Sequence, residues 1–258
     1  MKSRQIVLSE RLQMLAEMVT MGNSVADVGC DHGFLSIYLV QKGISPHVLA
    51  MDVRKGPLAA AQEHIESHGL NTYIETRLSD GMEKLEFGEA ETLVCAGMGG
   101  RLMERILRTH MEKARSMREL ILQPQSELKE FRAFLRREGF RILAEDAVYE
   151  EGKYYFAMKA AYAGENAGIR SERQSRFDEQ ESAHPGQSDM QSIFDEYGEL
   201  LLKGKHPVLQ RYLGYRKEAT ERIMEKLEAE RTERTEERLS EVRRELEEIE
   251  RASGWFME

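Results

Sequence analysis

The sequence predicts an α/β fold: helices cover both faces of a mainly parallel sheet that ends in an antiparallel hairpin, and a C-terminal all-α coiled-coil domain follows. As far as residue 138, short apolar segments alternate with amphipathic ones, as is typical of βα units. Two strand-like segments, 141–150 and 153–160, then follow each other without a helix between them, which indicates the hairpin. Beyond residue 190, leucine and isoleucine recur at helical or heptad spacing.

The first helix is predicted to begin after Ser9, whose hydroxyl suits an N-cap, because Leu12, Leu15 and Val19 recur at helical spacing. Each later strand is predicted from a short apolar run, and each later helix from an amphipathic stretch. The predicted strands are 24–30, 47–53, 72–78, 92–96 and 119–123, and the predicted helices are 33–42, 57–68, 99–114 and 127–138.

Composition divides the chain into three parts. Residues 1–162 carry the predicted sheet and its helices. Residues 163–190 are rich in Gly, Ser, Gln, Arg and Glu, so we expect them to form an exposed, partly disordered linker or insert. Residues 191–258 are expected to form a helical hairpin.

In this last part, a short helix over 193–202 precedes a long charged segment with an apolar seam. The seam lapses between Leu227 and Leu239, where Thr232 or Thr235 could cap a second helix. An antiparallel two-helix hairpin is therefore favoured over one long helix.

The bulk properties exclude several classes of protein. Neither an apolar run of about 18 residues nor a signal peptide is visible, so we expect a cytoplasmic protein without a membrane segment. Cys30 and Cys95 are too few for a disulfide framework or a thiolate metal site, and each ends a predicted strand as a small buried residue. No histidine is spaced to complete a metal site, so no metal is expected. We expect a monomer.

The net charge of -9 argues against general nucleic-acid binding, but the charge is unevenly distributed. Residues 101–141 hold eleven basic residues and only six glutamates. Such a basic stripe can neutralise phosphates, because salt confines each charge's field to about 8–10 Å. An ordinary solvated helix face is the alternative interpretation of the same residues.

The first predicted strand ends in a tight turn, Asp27 to Gly33, that opens directly into a helix. Glycines at such a bend let a ligand approach the backbone, and the new helix presents free amides. The dinucleotide fingerprint would require glycine at Asp31. A carboxylate there suits a cationic or hydroxyl-bearing ligand, and S-adenosylmethionine (SAM) offers a sulfonium, an ammonium and a ribose diol. The terminal hairpin also favours the sheet of SAM-dependent methyltransferases over a plain dinucleotide-binding fold.

Ligands of parallel sheets bind beyond the carboxyl ends of the strands, so each cofactor candidate should lie at a strand end. Four predicted strands end in such residues. The alternatives are that Asp52 and Asp80 are ordinary turn residues and that His32 is a satisfied helix-terminus histidine. The predicted cofactor-binding residues are Asp27, Gly29, Cys30, Asp31, His32, Gly33, Asp52, Asp80, Gly81, Ala96 and Gly97.

The fourth strand end reads Gly97-Met98-Gly99-Gly100 and indicates the kind of substrate. Enzymes that methylate exocyclic amines commonly carry Asn or Asp followed by Pro-Pro at this place, and those side chains are absent here. Three glycines leave open space and exposed amides, which suits a flat ring whose nitrogen already has a lone pair. A tight strand-to-helix turn is the structural alternative, and the two are compatible.

Four motifs together resemble one known family. They are Leu8-Ser9-x-Arg11-Leu12, Asp27-Val28-Gly29-Cys30-Asp31-His32, Ala96-Gly97-Met98-Gly99-Gly100 and Leu120-Ile121-Leu122-Gln123-Pro124. The chain is similar to the bacterial tRNA (adenine-22-N1)-methyltransferases, which are class I, Rossmann-like, SAM-dependent methyltransferases with a coiled-coil domain. Residues 5–160 resemble the family in amino-acid sequence, and residues 193–252 resemble it mainly in architecture. The segment 163–189 does not match.

The resemblance implies methyl transfer from SAM to N1 of an adenine in the D-loop region of tRNA, and tRNA as the partner. The base must be flipped out of folded RNA, and a general base is not required. The rival hypotheses are a SAM-dependent methyltransferase of another RNA or of a small metabolite, and a non-catalytic SAM- and RNA-binding protein. The residues expected to line the base pocket are Gly97, Met98, Gln123, Pro124, Tyr149, Tyr154 and Tyr155, the last two of which could equally be core residues.

The basic residues supply the expected tRNA contacts. Those near the start of the helical domain make that domain a second contact surface, with dimerisation or stabilisation as its alternative role. The residues chosen for tRNA binding are Arg11, Arg101, Arg105, Arg108, Arg132, Lys203 and Lys205.

Overall fold

The computed structural model describes residues 5–164, 185–229 and 233–257, and the chain divides into two compact units between residues 182 and 183. The first unit contains the sheet. Its elements are α1 Glu10–Met18, β1 Val25–Val28, α2 Phe34–Gln41, β2 Val48–Asp52, α3 Lys55–Ser67, β3 Ile74–Leu78, β4 Thr92–Met98, α4 Gly100–Thr109, α5 Met111–Ser116, β5 Glu119–Pro124, α6 Leu128–Arg137, β6 Phe140–Glu150 and β7 Lys153–Tyr162.

The seven strands form one sheet in the order β3-β2-β1-β4-β5-β7-β6. Strands β1 to β5 pair in parallel, whereas β7 runs antiparallel to both β5 and β6. The order reverses direction between β1 and β4, which is where parallel sheets bind ligands. The Rossmann-like class I sheet with its inserted antiparallel strand is confirmed.

Apolar side chains fill both faces of the sheet, which explains why the strands read as nearly continuous apolar runs. On one face, Phe131 and Phe134 of α6 and Met103 of α4 are fully buried against the strands. On the other face, α1, α2 and α3 supply buried residues such as Leu15 and Ile37. The Ser9 hydroxyl accepts from Leu12 N at 3.4 Å, so the predicted N-cap is present.

The helix predicted over 99–114 is wrong in one respect, because it is two helices. The backbone of His110 leaves the helical region, with φ -126° and ψ 39°, and separates α4 from α5. Apolar periodicity continues through the break, since Leu107 and Ala114 are buried on the same face of the sheet. The pattern therefore carried no signal of the interruption.

A buried carboxylate, Glu119, links the amino ends of β4 and β5 to β7 and to the segment between α1 and β1. It accepts from Thr20 N at 2.8 Å, Thr20 Oγ1 at 2.6 Å and Thr92 Oγ1 at 2.9 Å, and it pairs with Lys159 Nζ at 2.7 Å. Burial by itself would raise the pKa of Glu119. The bonds from Lys159 and Thr20 outweigh burial, so the pKa lies below its ordinary value of 4.5.

The second unit consists of helices. They are α7 Pro185–Tyr197, α8 Glu199–Lys203, α9 Pro207–Ala229 and α10 Glu233–Gly254. Ion pairs link the middle of α9 to the end of α10, Lys217 to Glu250 at 2.9 Å, and the end of α9 to the middle of α10, Glu228 to Arg243 at 3.0 Å, so the two helices run antiparallel. The buried seam contains Leu209, Leu213, Leu239, Val242 and Ile249.

The predicted linker and the predicted helix cap in this region differ from the structure where the residues are described. Most of the linker expected over 163–190 lies outside the described residues, but its last residues are helical because α7 begins at Pro185. Proline suits the first turn of a helix, where its missing N–H is not needed. Thr232 lies outside the described residues, and Thr235 lies within α10 rather than at its cap.

No helix in the described parts of the chain is long and apolar enough to cross a membrane.

Replacing Glu119 with glutamine should lower the free energy of unfolding by about 2–4 kcal/mol, because it leaves Lys159 and three donors around a neutral acceptor. Urea unfolding followed by circular dichroism measures the loss. The group's pKa is lowered on folding, so its contribution is complete above pH 4.5 and disappears as the pH falls below that value. The difference between the two proteins should therefore shrink in acid.

The matched control is Glu112→Gln, which changes the same group at an exposed site of α5. It should shift stability by no more than about 0.5 kcal/mol. Equal effects of the two substitutions would show that the Glu119 network does not stabilise the sheet.

Candidate functional site

One cavity of about 640 Å³ lies beyond the carboxyl ends of β1 to β5. It occupies the reversal point of the sheet and brings four of the predicted strand ends together. Its lining residues are Arg11, Leu12, Asp27, Val28, Gly29, Cys30, Asp31, His32, Phe34, Leu35, Asp52, Val53, Arg54, Ser79, Asp80, Gly81, Ala96, Gly97, Met98, Leu102, Arg105, Ile106 and Gln125.

The turn after β1 depends on backbone conformations that favour glycine. Gly29 has φ +81° and Gly33 has φ +73°, while Asp31, with φ +48°, is one of the residue types that tolerate this region. A Cβ atom on Gly29 would overlap Cε of Met98. The turn after β1 therefore lies directly against the turn after β4.

One half of the cavity is acidic. Asp27 is buried and accepts from Ser36 Oγ at 2.6 Å, and burial, aided by the nearby charge of Asp52, raises its pKa from 3.8 to about 6. Asp52 is also buried and accepts from Arg54 N at 2.8 Å. Asp31 and Asp80 complete this half, and the exposed guanidinium of Arg54 lies 3.6 Å from Asp52 and 3.9 Å from Asp31. The cavity therefore presents carboxylates that a cationic ligand would stabilise in their charged form.

The thiols are not reactive groups in this environment. Burial raises the pKa of Cys95 to about 12, and burial followed by the charge of Asp27 raises the pKa of Cys30 well above its usual range. A thiol rather than a thiolate is the stable form of both residues. Their expected role as small buried residues fits these values.

The other half of the cavity carries amides and arginines. Gly97 has φ +76°, and a Cβ atom on it would lie 3.5 Å from Arg11 Nη1 and 3.9 Å from Gln125 Nε2. Arg11 donates from Nη1 to Gln123 Oε1 at 3.0 Å and lies over the ring of Tyr155, with Cζ 5.5 Å from its centroid. Two elements of the sheet thus fix a guanidinium group carried by α1.

Most predicted cofactor residues line this cavity, and Gly33 is the exception. A Cβ atom on Gly33 would lie 3.1 Å from Ala61 Cβ, so this glycine serves helix packing instead. His32 lines the mouth, where its ring stacks on Phe34 at 5.8 Å and its carbonyl contacts His64 Nδ1 at 2.9 Å. Contact with a ligand by these residues remains a proposal.

Of the residues expected to line the base pocket, Gly97 and Met98 do so. Gln123 and Pro124 are buried and do not line the cavity. Nε2 of Gln123 has no hydrogen-bond partner among the described residues. Tyr149 and Tyr154 contact each other at 4.6 Å in the β6–β7 hairpin, outside the cavity lining.

The expected tRNA-binding residues fall into three groups. Arg11 and Arg105 line the cavity, and Arg101 is 87% exposed next to it, 3.4 Å from Glu127. Arg108 is paired with Glu104 and Glu138. In the second unit, Lys203 pairs with Glu199, and Lys205 is exposed.

Arg132 is a wrong prediction. It is only 3% exposed, and its Nε donates to the buried Glu145 at 2.8 Å. The residue lies on the face of α6 that carries Phe131, Phe134 and Leu135 into the core. A charge count along the sequence cannot distinguish this buried face from the exposed one.

Sequence reasoning missed several lining residues. Gln125 follows directly after a motif that was singled out, but its position over Gly97 depends on the neighbouring strand. Leu102 and Ile106 lie one helical turn apart on α4, and that spacing was the available signal. Val53 follows Asp52, and the sequence offered no signal for it. Within the described residues, no group of three or more His, Cys, Asp or Glu is arranged to hold a metal ion.

Comparison with known proteins places the chain among methyltransferases. A family model described as a methyltransferase domain matches residues 8–158. The tRNA (adenine(22)-N(1))-methyltransferase of Bacillus subtilis strain 168 is 35% identical over 156 residues, which cover 60% of this chain and 66% of that relative. This chain therefore covers slightly less than two thirds of that relative's length.

Solved structures match over nearly the whole chain. The Bacillus subtilis m1A22 tRNA methyltransferase TrmK is 28% identical with a TM-score of 0.78, covering 96% of this chain and 100% of that one. Streptococcus pneumoniae Sp1610, described as a candidate tRNA (m1A22) methyltransferase and solved with S-adenosyl-L-methionine, is 27% identical with a TM-score of 0.75 and the same coverage.

Gly29→Ala should destabilise the first unit by about 1–2 kcal/mol, the left-handed strain that alanine adopts at φ +81°, because Cε of Met98 ends a flexible side chain and can move aside. Gly22→Ala is the matched control: its φ is +92°, and a Cβ atom there meets nothing within 4 Å. It should cost about 1–2 kcal/mol from strain alone. Urea unfolding compares the two variants.

Because Met98 can move aside, the effects of Gly29→Ala and Met98→Ala should add to within about 0.5 kcal/mol in a double-mutant cycle. A larger coupling would show that the Met98 side chain cannot move away from residue 29.

Proposed function

The chain belongs to the methyltransferase-domain family, and on that basis we propose that it transfers a methyl group from SAM to N1 of adenine 22 of tRNA, giving 1-methyladenosine. It acts as a monomer in the cytoplasm. The observation that carries this proposal is the division of the cavity into an acidic half and a half of amides and arginines, which meet where Gly29 contacts Met98.

The acidic half fits SAM. Asp52 lies at the end of β2, where a carboxylate can accept from both ribose hydroxyls, and its buried position makes such bonds strong. Asp27 and Asp31 supply negative charge for the ammonium and sulfonium groups. Asp80 and Gly81, after β3, are placed for the adenine of the cofactor. SAM supplies an electrophilic methyl group on its sulfonium when it is bound.

The glycine turn after β4 fits the target base. Gly97 leaves open space between Arg11 and Gln125, and a flat ring can enter where a side chain would stand. The chain's contribution to the rate is alignment, which requires the reacting atoms to lie about 3–3.5 Å apart. N1 of adenine carries its own lone pair, and the methylated base is a cation that can lose its amine proton to solvent. No side chain is therefore needed as a general base.

The basic residues beside this half fit the phosphates around a flipped base. Arg101 and Arg105 are exposed on α4, at the mouth of the cavity. In the helical unit, Lys205 is exposed near the start of α9, whereas Arg216 and Lys217 already pair with glutamates of α10. A second tRNA surface on that unit would therefore lie near Lys205.

Incubation with SAM labelled in its methyl group and an unmodified tRNA transcript carrying adenine 22 should place the label in 1-methyladenosine. A transcript with guanine 22 should remain unlabelled, because N1 of guanine is protonated. Nucleoside analysis after digestion gives the result. Label in a small molecule instead of RNA would indicate a metabolite methyltransferase, and SAM binding without any transfer would indicate a non-catalytic protein.

Separate variants should affect the two ligands separately. Asp52→Ala should weaken SAM binding by about 10- to 100-fold, as expected for lost bonds to a charged acceptor, and leave tRNA affinity unchanged. Arg101→Glu combined with Arg105→Glu should weaken tRNA binding about tenfold or more, with a smaller salt dependence, and leave SAM affinity unchanged. Isothermal titration measures both affinities.

The control for the charge reversal is Arg118→Glu. Arg118 is exposed and precedes the amino end of β5, whereas the cavity lies at the carboxyl ends of the strands. It should leave both affinities within about twofold. Loss of both ligands in every variant would contradict the two-halves assignment.

A further inference from the structure

The side-chain amide of Gln125 borders the half of the cavity that we assign to the target base. Its backbone N–H donates to Met98 O at 2.8 Å, which fixes the residue beside the glycine turn after β4. Its Nε2 atom lies 3.9 Å from the position that a Cβ atom on Gly97 would occupy. The amide therefore lies at the edge of the space that Gly97 leaves open.

Neighbouring side chains cannot replace this amide. The two arginines of this half carry donors only, and the other side chains are apolar. Among the described residues that line this half, Gln125 alone presents a donor and an acceptor in one planar group. The others are Arg11, Leu12, Ala96, Gly97, Met98, Leu102, Arg105 and Ile106.

Arg11 is in addition held in place. Gln123 accepts from its Nη1 at 3.0 Å, and the ring of Tyr155 lies beneath its Cζ. The anchored guanidinium and the Gln125 amide therefore both border the space that Gly97 leaves open. Of these two side chains, only Gln125 can accept a hydrogen bond.

Adenine has an edge that matches a side-chain amide. Its N6 amine donates and its N7 accepts, and glutamine bonds both atoms at once when it recognises adenine in nucleic acids. N1 lies on the other side of the amine, on the Watson–Crick edge. A base held through N6 and N7 therefore keeps the N1 lone pair available.

We propose that Gln125 holds the target adenine, with Oε1 accepting from the N6 amine and Nε2 donating to N7. The assignment rests on the proposed function, because it takes adenine as the methylated base. The proposal makes Gln125 a substrate-binding residue that orients N1. It also explains why β4 can end in glycines instead of Asn or Asp followed by Pro-Pro, because Gln125, which follows β5, binds the amine.

The test uses three tRNAs assembled by ligation, with adenosine, purine riboside (no N6 amine) or 7-deazaadenosine (no N7) at the target position. Values of kcat/KM and of the tRNA Kd are compared for wild type, Gln125→Leu and Gln125→Glu. Each analogue changes the intrinsic reactivity of N1 equally for every protein. For each protein, kcat/KM on adenosine tRNA is divided by kcat/KM on an analogue tRNA. Comparing this ratio between wild type and a variant therefore isolates the contact with residue 125.

Wild type should lose kcat/KM on both analogues. Gln125→Leu should be slower on adenosine and should discriminate against each analogue about 5- to 20-fold less than wild type does, the factor that one lost hydrogen bond of this kind produces. Gln125→Glu keeps the acceptor and loses the donor. It should therefore keep its sensitivity to the amine and lose its sensitivity to N7.

Gln13→Leu, the same change on the exposed side of α1, should match wild type on all three tRNAs. SAM affinity should be unchanged in every variant, which shows that the variants are folded. Discrimination by Gln125→Leu within twofold of wild type would overturn the assignment while leaving the proposed function intact. A wild-type protein that does not methylate the adenosine tRNA would overturn both.

Discussion

The site depends on the absence of a side chain at Gly29. Because nothing projects from that residue, the turn after β1 lies against Met98 at the carboxyl end of β4. These strands are neighbours where the strand order reverses, so the contact lies at the position where parallel sheets bind ligands. The acidic half opens on the β1–β2 side of this contact, and the amide and arginine half opens on the β4–β5 side.

The charges follow from that division. Burial raises the pKa of Asp27 to about 6, so its charged form is costly near neutral pH unless a positive group lies close to it. A cationic ligand lowers that cost and is bound more tightly in return. Toward β4, the chain presents neutral groups at Gly97 and Met98, with the guanidinium groups of Arg11 and Arg105 also in the lining. A neutral ring attached to phosphates fits that arrangement.

What could be predicted from the sequence was what local chemistry determines. The Asp27 turn and the glycine run after β4 show themselves by residue types that only tight turns and close approaches require. Three features could not be predicted in this way. The break at His110 leaves the apolar period intact, the burial of Arg132 depends on which face of α6 meets the sheet, and the role of Gln125 depends on β5 lying beside β4. The burial of Arg132 and the position of Gln125 depend on packing between segments distant in sequence, whereas the break at His110 is a local backbone change that the apolar pattern does not register.

The two halves differ in how they are held. The acidic half is built from the turns after β1, β2 and β3, within the parallel core of the sheet. The other half also needs the ends of the domain: Arg11 belongs to α1, Tyr155 to the terminal hairpin, and Glu150 of that hairpin accepts from Glu10 N at 2.7 Å. Changes at the periphery of the domain can therefore alter the choice of substrate while the cofactor turns stay as they are. For the proposed function, binding of the methyl donor and binding of the methyl acceptor therefore depend on different parts of the sheet.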